Sequence, residues 1–336
     1  MWFEELMGFR EDNAEQIYAN IVVDGQFMTS KANGRTYKCG QLETPTLGEL
    51  RTRVSQQSAT VGQGRLKLSE MVANVQSLHQ DPACARALFQ VASQFNLLEM
   101  VSPSITPEAG IGIYEHDHTQ GPACAIAAGA GTVFRNYFVL VNGRTGQTTD
   151  NQIDCLLDLG QALGNHGNRL WTMRNGYVLP SANGLLEVAE KLSGMSESER
   201  DALRTKLRIG VHWDTEVTLG NKKHLVSQAF CSALPVAYSP LPVDMWEDFG
   251  RLVLEASYEA TLCAAVLNLV NGSKKSVFLT LLGGGAFGNP DDWIFSAIER
   301  AVKMFENADL EVAVVSYGSS KRRVQELVKS FNAAEE

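Results

Sequence analysis

The run Gly283-Gly284-Gly285-Ala286-Phe287-Gly288 follows a continuous apolar stretch, Val277 to Leu282, and precedes residues with helical periodicity. A loop so placed turns its backbone amides toward an anion, with no lysine or arginine needed. It formally satisfies G-x-G-x-x-G, so a dinucleotide-binding turn is the first reading to weigh. Against it, only one further strand follows, and the nearest acids, Asp309 and Glu311, precede or begin that strand. Asn289 suits an N-cap and Pro290 the first helical position, while Asp291 and Asp292 repel a phosphate set on the helix end. An anion therefore belongs against the amides of Gly284 to Gly288; a glycine turn with no ligand is the plain alternative.

His116-Asp117-His118 invites a metal reading, but zinc sites require a third clustered ligand and, in their helical form, H-x-x-x-H spacing. Solvated loop histidines are expected and no metal. Cys124 has no base beside it in sequence and reads as a small buried hydrophobe. The six cysteines, Cys39, Cys84, Cys124, Cys155, Cys231 and Cys263, lack C-x-x-C pairing and read as reduced thiols. A formal charge of −9 with interspersed signs argues against gripping nucleic acid. Met1 to Arg10 has no basic leader pattern, and no apolar run approaches the roughly 18 residues of a membrane span. A cytoplasmic protein with no nucleic-acid or membrane partner is expected.

The elements that must position these residues alternate in type. Ile17–Val23 and Gln26–Ser30 flank Asp24-Gly25, a hairpin signal, within an expected N-terminal extension over 1–65 that packs on the core. From Leu66, over 66–336, strands are expected at Met71–Val75, Phe89–Phe95, Leu207–Val217, Leu225–Leu234, Val277–Leu282 and Leu310–Val315. Helices are expected at Pro82–Leu88, Ala123–Thr132, Trp246–Leu267 and Trp293–Phe305. The irregular stretch Val101–Gln120 is long enough to be functional. Residues 141–207, with turns at Asn142-Gly143 and Asn175-Gly176 and helices at Ile153–Leu163 and Gly184–Leu192, read as a helical insertion. Its aromatics Trp171 and Tyr177 either pin it to the core or meet a protein substrate. Apolar strands alternating with helices predict an α/β fold with a sheet covered on both faces.

Tyr258 in its helix, the strand Val277–Leu282, the loop Gly284 to Pro290 and the last strand, Val312 to Tyr317, resemble the final third of a macrodomain, with glycines where that family has serine and threonine. Gly121-Pro122-Ala123-Cys124 resembles its first phosphate loop. Ser93 to Asn96, Asp117 to Ala125, Gln228 to Tyr238 and Gly283 to Pro290 together are similar to an atypical macrodomain group that includes a Legionella effector and eukaryotic relatives, which remove ADP-ribose from arginine side chains. The resemblance implies a three-layer α/β/α domain with a mixed sheet, and ADP-ribose and ADP-ribosylated protein as partners, without a cofactor. It implies ligand contacts from Asn96 and Phe287 at the distal ribose, from Gln120, Gly121, Pro122, Ala123 and Cys124 in the first loop, from Gly283, Gly284, Gly285, Ala286, Gly288 and Asn289 in the second, and from Tyr317. Asn74 falls where many macrodomains place an adenine-reading aspartate.

Cleaving such a bond requires a carboxylate that orients or deprotonates water. Asp117 and Glu259 are the expected catalytic acids, with Glu115 as a further candidate. For Asp117 the bland use is capping the next helix. Glu255 and Glu259 share a helix face with Arg251, which suggests a surface ion pair. The same fold serves a non-catalytic ADP-ribose reader, and a hydrolase of free ADP-ribose derivatives is a third reading.

Overall fold

A computed structural model describes residues 1–57 and 64–333, so 58–63 of the expected extension and the last three residues lie outside the described residues. Seven strands form the main sheet: β1 Gln41–Glu43, β2 Lys67–Val72, β3 Leu88–Ala92, β4 Gly210–Glu216, β5 Leu225–Cys231, β6 Ser276–Leu279 and β7 Glu311–Ser316. Their spatial order is β1-β4-β5-β3-β6-β7-β2. From β5 to β2 every pairing is parallel, and β4 runs against both of its neighbours.

The helices that matter below are α1 Leu47–Ser55, α2 Val75–Gln80, α3 Gln120–Ala127, α4 Ala182–Ser193, α5 Glu197–Arg204, α6 Glu247–Val270, α7 Asp291–Met304 and α8 Arg322–Ala333. Adjacent strand residues point to opposite faces. In β3, Phe89 stacks on His79 of α2 at 3.8 Å, while Gln90 donates to Thr261 of α6 at 3.0 Å. α2 and α6 therefore cover opposite faces, which makes three layers around a mixed sheet, the macrodomain-like α/β/α architecture expected. Double coverage explains why β3 reads as an unbroken apolar run apart from Gln90. α6 packs against α1, α4, α5 and α7. It is long and apolar enough to span a membrane by composition, yet it is the buried spine of the core.

Several boundaries move. β2 ends at Val72, and the Asn74 side chain accepts from the amides of Gln76 and Ser77, so α2 begins where a strand was expected. Pro82–Cys84 is one 3-10 turn. The small-residue stretch divides into α3, a short helix Gly129–Val133 and a π turn Phe134–Phe138. α8 was not anticipated.

The hairpin forms at Ile21–Asp24 and Phe27–Ser30, but Ala14–Asn20 before it is helical. β1 extends the main sheet beside β4, so the first 65 residues do more than pack on the core. Residues 3–39 contribute Phe3, Met7 and Ile17 to a second cluster with Leu98, Ile111 and Tyr114. Within 141–207, Leu185, Val188 and Leu192 of α4 join the main core, and Trp171 lies 5.1 Å from Phe249. Trp171 thus pins the segment down.

Candidate functional site

β3 and β6 pair only at Leu88–Val277 and Phe89–Phe278 and then diverge. Past Phe89 the β3 edge would be left without partners, a cost that buried backbone cannot bear. The Gln120 side chain meets it: Nε2 donates to the Gln90 carbonyl at 2.8 Å and Oε1 accepts from the Ala92 amide at 2.8 Å. On the diverging side, the Gln90 Oε1 accepts from the Thr280 amide at 3.2 Å. A cavity of about 380 Å³ opens there, at the carboxyl ends of β2, β3, β6 and β7. Ligands of open α/β sheets bind at this end.

Two backbone segments line the cavity. Gly283 to Phe287 form one wall, and Gly285, Ala286 and Phe287 keep amides with no hydrogen bond among the described residues. The segment is anchored by Tyr258, whose hydroxyl donates to the Thr280 carbonyl at 2.7 Å and accepts from the Leu282 amide at 2.9 Å. Gly283 has φ +78°, and a Cβ there would come within 2.5 Å of Ala233. The second segment is the first turn of α3, where Gln120 and Gly121 carry the unpaired amides that any helix start leaves. A Cβ on Gly121 would lie 2.1 Å from the Ala92 carbonyl oxygen, so only glycine lets α3 approach β3 this closely.

Asp117, His118, Pro122 and Ala123 also line the cavity, as do Tyr317 and Lys321 beyond β7 and Asn74 beyond β2. Asp117 Oδ1 accepts from the Thr119 amide at 2.8 Å, a local turn bond that leaves Asp117 on the cavity wall; Thr119 precedes α3 and the helix has no side-chain cap, so Asp117 does not make the cap expected of it. Tyr177, Tyr238 and Phe287 form an aromatic corner, with ring centroids 5.2 to 5.6 Å apart. The Tyr177 hydroxyl donates to the Met100 carbonyl at 2.6 Å, which ties this corner to the opposite wall.

Glu99 also lines the cavity and was not foreseen. Its carboxylate is buried with Arg135, whose Nη2 lies 3.2 Å away, and Arg135 caps the ring of Phe230 at 3.8 Å. Burial pushes the Glu99 carboxyl up to about 7, against the pull of Arg135 and Tyr114. The signal available in sequence was a lone acid inside the apolar run Leu97 to Met100, which demands a buried partner.

Other expected site residues lie elsewhere. Glu259 is 1% exposed, and its carboxylate receives Arg51 Nε at 2.5 Å and Arg300 Nη1 at 2.7 Å. It is part of a buried ion network between α1, α6 and α7, not of the cavity, which corrects its expected role. Its supposed partner Arg251 instead pairs with Glu247 and Asp292. Asn96 is buried away from the cavity: its Nδ2 donates to Gln152 at 2.9 Å and its Oδ1 accepts from the Leu98 amide at 3.1 Å. Cys124 is buried in α3, with burial raising its thiol well above the usual range. Gly288 and Asn289 stand behind the wall, where the Asn289 Nδ2 donates to the Leu234 carbonyl at 2.7 Å.

His116 is exposed, 3.7 Å from Glu115, and Glu115 accepts from the Trp2 amide. Among the described residues no group of three or more His, Cys, Asp or Glu is placed to hold a metal ion. All six cysteines are free and buried.

No protein-family model matches the chain, and no curated protein does. Solved structures do. It is similar to a poly(ADP-ribose) glycohydrolase from Deinococcus radiodurans in complex with ADP-ribose, at 10% identity and a TM-score of 0.44 over 88% of this chain and 94% of that one. It is also similar to a poly(ADP-ribose) glycohydrolase from Thermomonospora curvata bound to the inhibitor ADP-HPD, at 11% identity and a TM-score of 0.44 over 94% of this chain and 96% of that one. The expected place in the group of ADP-ribosyl-arginine hydrolases is corrected by these matches, which name a different glycohydrolase. The likeness they carry is one of α/β architecture.

Proposed function

We propose that the chain binds ADP-ribose in the cavity and hydrolyses the glycosidic bond at its distal ribose. The observation that supports this reading is the pairing of two sets of unengaged backbone amides, at Gly285 to Phe287 and at Gln120 and Gly121, on one cavity that also holds the Asp117 carboxylate. A diphosphate between the two segments accepts from amides that have no other partner, as at other helix starts and glycine loops. The cavity's acids, Glu99, Asp117 and Asp291, leave Lys321 to supply positive charge, so neutral donors carry the anion.

The ends of the ligand follow from this placement. Asn74, Val315 and Tyr317 line the end toward β2 and β7, where a flat base is accommodated, and Phe287 with Tyr177 forms the corner toward Asp117. Asp117 Oδ1 is held by the Thr119 amide, leaving Oδ2 to accept a proton from water as it attacks the anomeric carbon, while the acceptor oxygen departs with the electron pair of the glycosidic bond and takes a proton from solvent. Asp117 is the catalytic residue in this scheme.

The test is incubation with ADP-ribose attached through carboxylate, serine and ribose acceptors, beside calorimetry with free ADP-ribose. Release from at least one acceptor, abolished in Asp117→Asn, is the expected result. Binding with no release from any of them leaves an ADP-ribose reader, the reading favoured if the turn bond of Asp117 to Thr119 is its whole role. No binding at all removes both.

A further inference from the structure

The helical turn Gly112–His116 runs directly into Asp117, whose amide donates to the Tyr114 carbonyl at 3.1 Å. Its start has no cap from nearby residues. The cap comes from 100 residues upstream. Glu11 Oε1 accepts from the Ile111 amide at 2.9 Å, and Oε2 accepts from the Gly112 amide at 2.5 Å. A carboxylate on the amides of a helix start satisfies orphan donors and favourably opposes the helix dipole.

The fit is specific to this acid. A Cβ on Gly110 or on Gly112 would lie 2.8 Å from the Glu11 carboxylate, so both glycines leave room for it. Tyr137 donates its hydroxyl to Glu11 Oε1 at 2.6 Å and fixes the carboxylate from behind. Trp2 adds two more ties, from its Nε1 to the Ile111 carbonyl and from its amide to Glu115 Oε2, each at 3.3 Å. At the far side of the same turn, the Tyr114 hydroxyl oxygen accepts from the Glu99 amide at 3.0 Å. The turn is therefore held at its start by the N-terminal segment and in its middle by the Glu99 pair.

We infer that Glu11 is a positioning residue for Asp117, through its cap on the turn Gly112–His116, so that the N-terminal segment sets the geometry of the reaction although it contributes nothing to the cavity wall. This rests on the hydrolase reading for its consequence, but the anchoring itself is independent of substrate. The segment's cluster with Leu98, Ile111 and Tyr114 supplies the rigidity the cap requires. Displacing a reacting group by about 1 Å costs on the order of 100-fold in rate.

The test compares the full chain with Glu11→Ala and Glu11→Gln, using hydrogen exchange across residues 110–119 and kcat and KM for ADP-ribose release. In Glu11→Ala, exchange is expected to accelerate in 110–119 alone, ADP-ribose affinity to stay within about twofold, and kcat to fall about tenfold or more. Glu11→Gln is expected to recover part of kcat, because its amide oxygen still accepts from one of the two donors. Unchanged exchange in 110–119 overturns the inference, as does an unchanged kcat beside accelerated exchange. Acceleration throughout the chain with lost affinity assigns Glu11 to global stability and overturns it too. If the wild-type chain releases nothing, the hydrolase reading fails, and the exchange result then decides the anchoring alone.

Discussion

Asp117 has two carboxylate oxygens and one of them is occupied by the Thr119 amide. Asparagine keeps an oxygen for that bond but removes the charge, so Asp117→Asn is expected to retain the fold and ADP-ribose affinity while ADP-ribose release falls below detection. Asp117→Ala loses the bond to the Thr119 amide as well, which lowers stability by about 1 kcal/mol and is read as a shift in urea midpoint. Glu259 separates from it cleanly. Glu259→Ala leaves Arg51 and Arg300 with Asp201 as their remaining acid, and losing charged hydrogen bonds of this kind costs about 1.5–3 kcal/mol. Calorimetry is expected to show the ADP-ribose affinity of the folded fraction unchanged. Asp117 was legible in sequence because a polar residue in a long irregular loop before a helix has few structural duties. Glu259 misled because four-residue spacing reports a shared helix face and says nothing of Arg51, 208 positions away, that lies on it.

At the scale of elements, β3 to β7 and the glycine loop were read nearly in place, since continuous apolar runs bounded by turn residues have few alternatives; β2 overlaps its expected span only at Met71 and Val72, and the three-residue β1 was not expected. What the sequence did not disclose was the divergence of β3 from β6, because a gap between strands leaves no periodicity. Gln120, expected from the resemblance to meet ligand, stands at the cavity, yet both ends of its amide are engaged with β3. Gly121→Ala tests the closeness that this arrangement demands. Its Cβ would meet the Ala92 carbonyl, so α3 must retreat, at about 1–3 kcal/mol of stability. ADP-ribose affinity is expected to fall with it, measured by calorimetry on the folded variant. Tyr258→Phe probes the opposite wall. It removes the hydroxyl from the buried Thr280 carbonyl and the Leu282 amide, costs about 1–3 kcal/mol and weakens ADP-ribose binding by loosening the start of the glycine loop.

The whole molecule is acidic, and its cavity carries three carboxylates. A diphosphate held by neutral amides in that field gains little from long-range attraction, so ADP-ribose affinity is expected to change less than about threefold over a tenfold range of ionic strength. A steep loss with salt, measured by calorimetry, overturns binding through amides. Stability has its own pH dependence. Burial lowers the imidazole of His79 to about 4 and that of His212 to about 3, the latter also repelled by Arg135. Unfolded histidines take up protons near the ordinary value of 6.5, so the stability due to both is complete above that pH and is lost as pH falls toward the folded values. Urea midpoints are expected to drop on acidification from about pH 6.5 to about pH 4. His212→Phe, which removes two buried nitrogens with no hydrogen-bond partner among the described residues, is expected to flatten that slope by one proton.

Gln120 gives the sheet a third kind of edge, neither paired with a strand nor open to water. A primary amide has the same donor and acceptor as a peptide group, so one side chain stands in for the missing length of a neighbouring strand and stops there. The width of the binding crevice is consequently set by a rotamer and not by backbone pairing. Exchanging that one residue therefore alters the edge of the crevice without touching the pairing that sets the order and register of the seven strands.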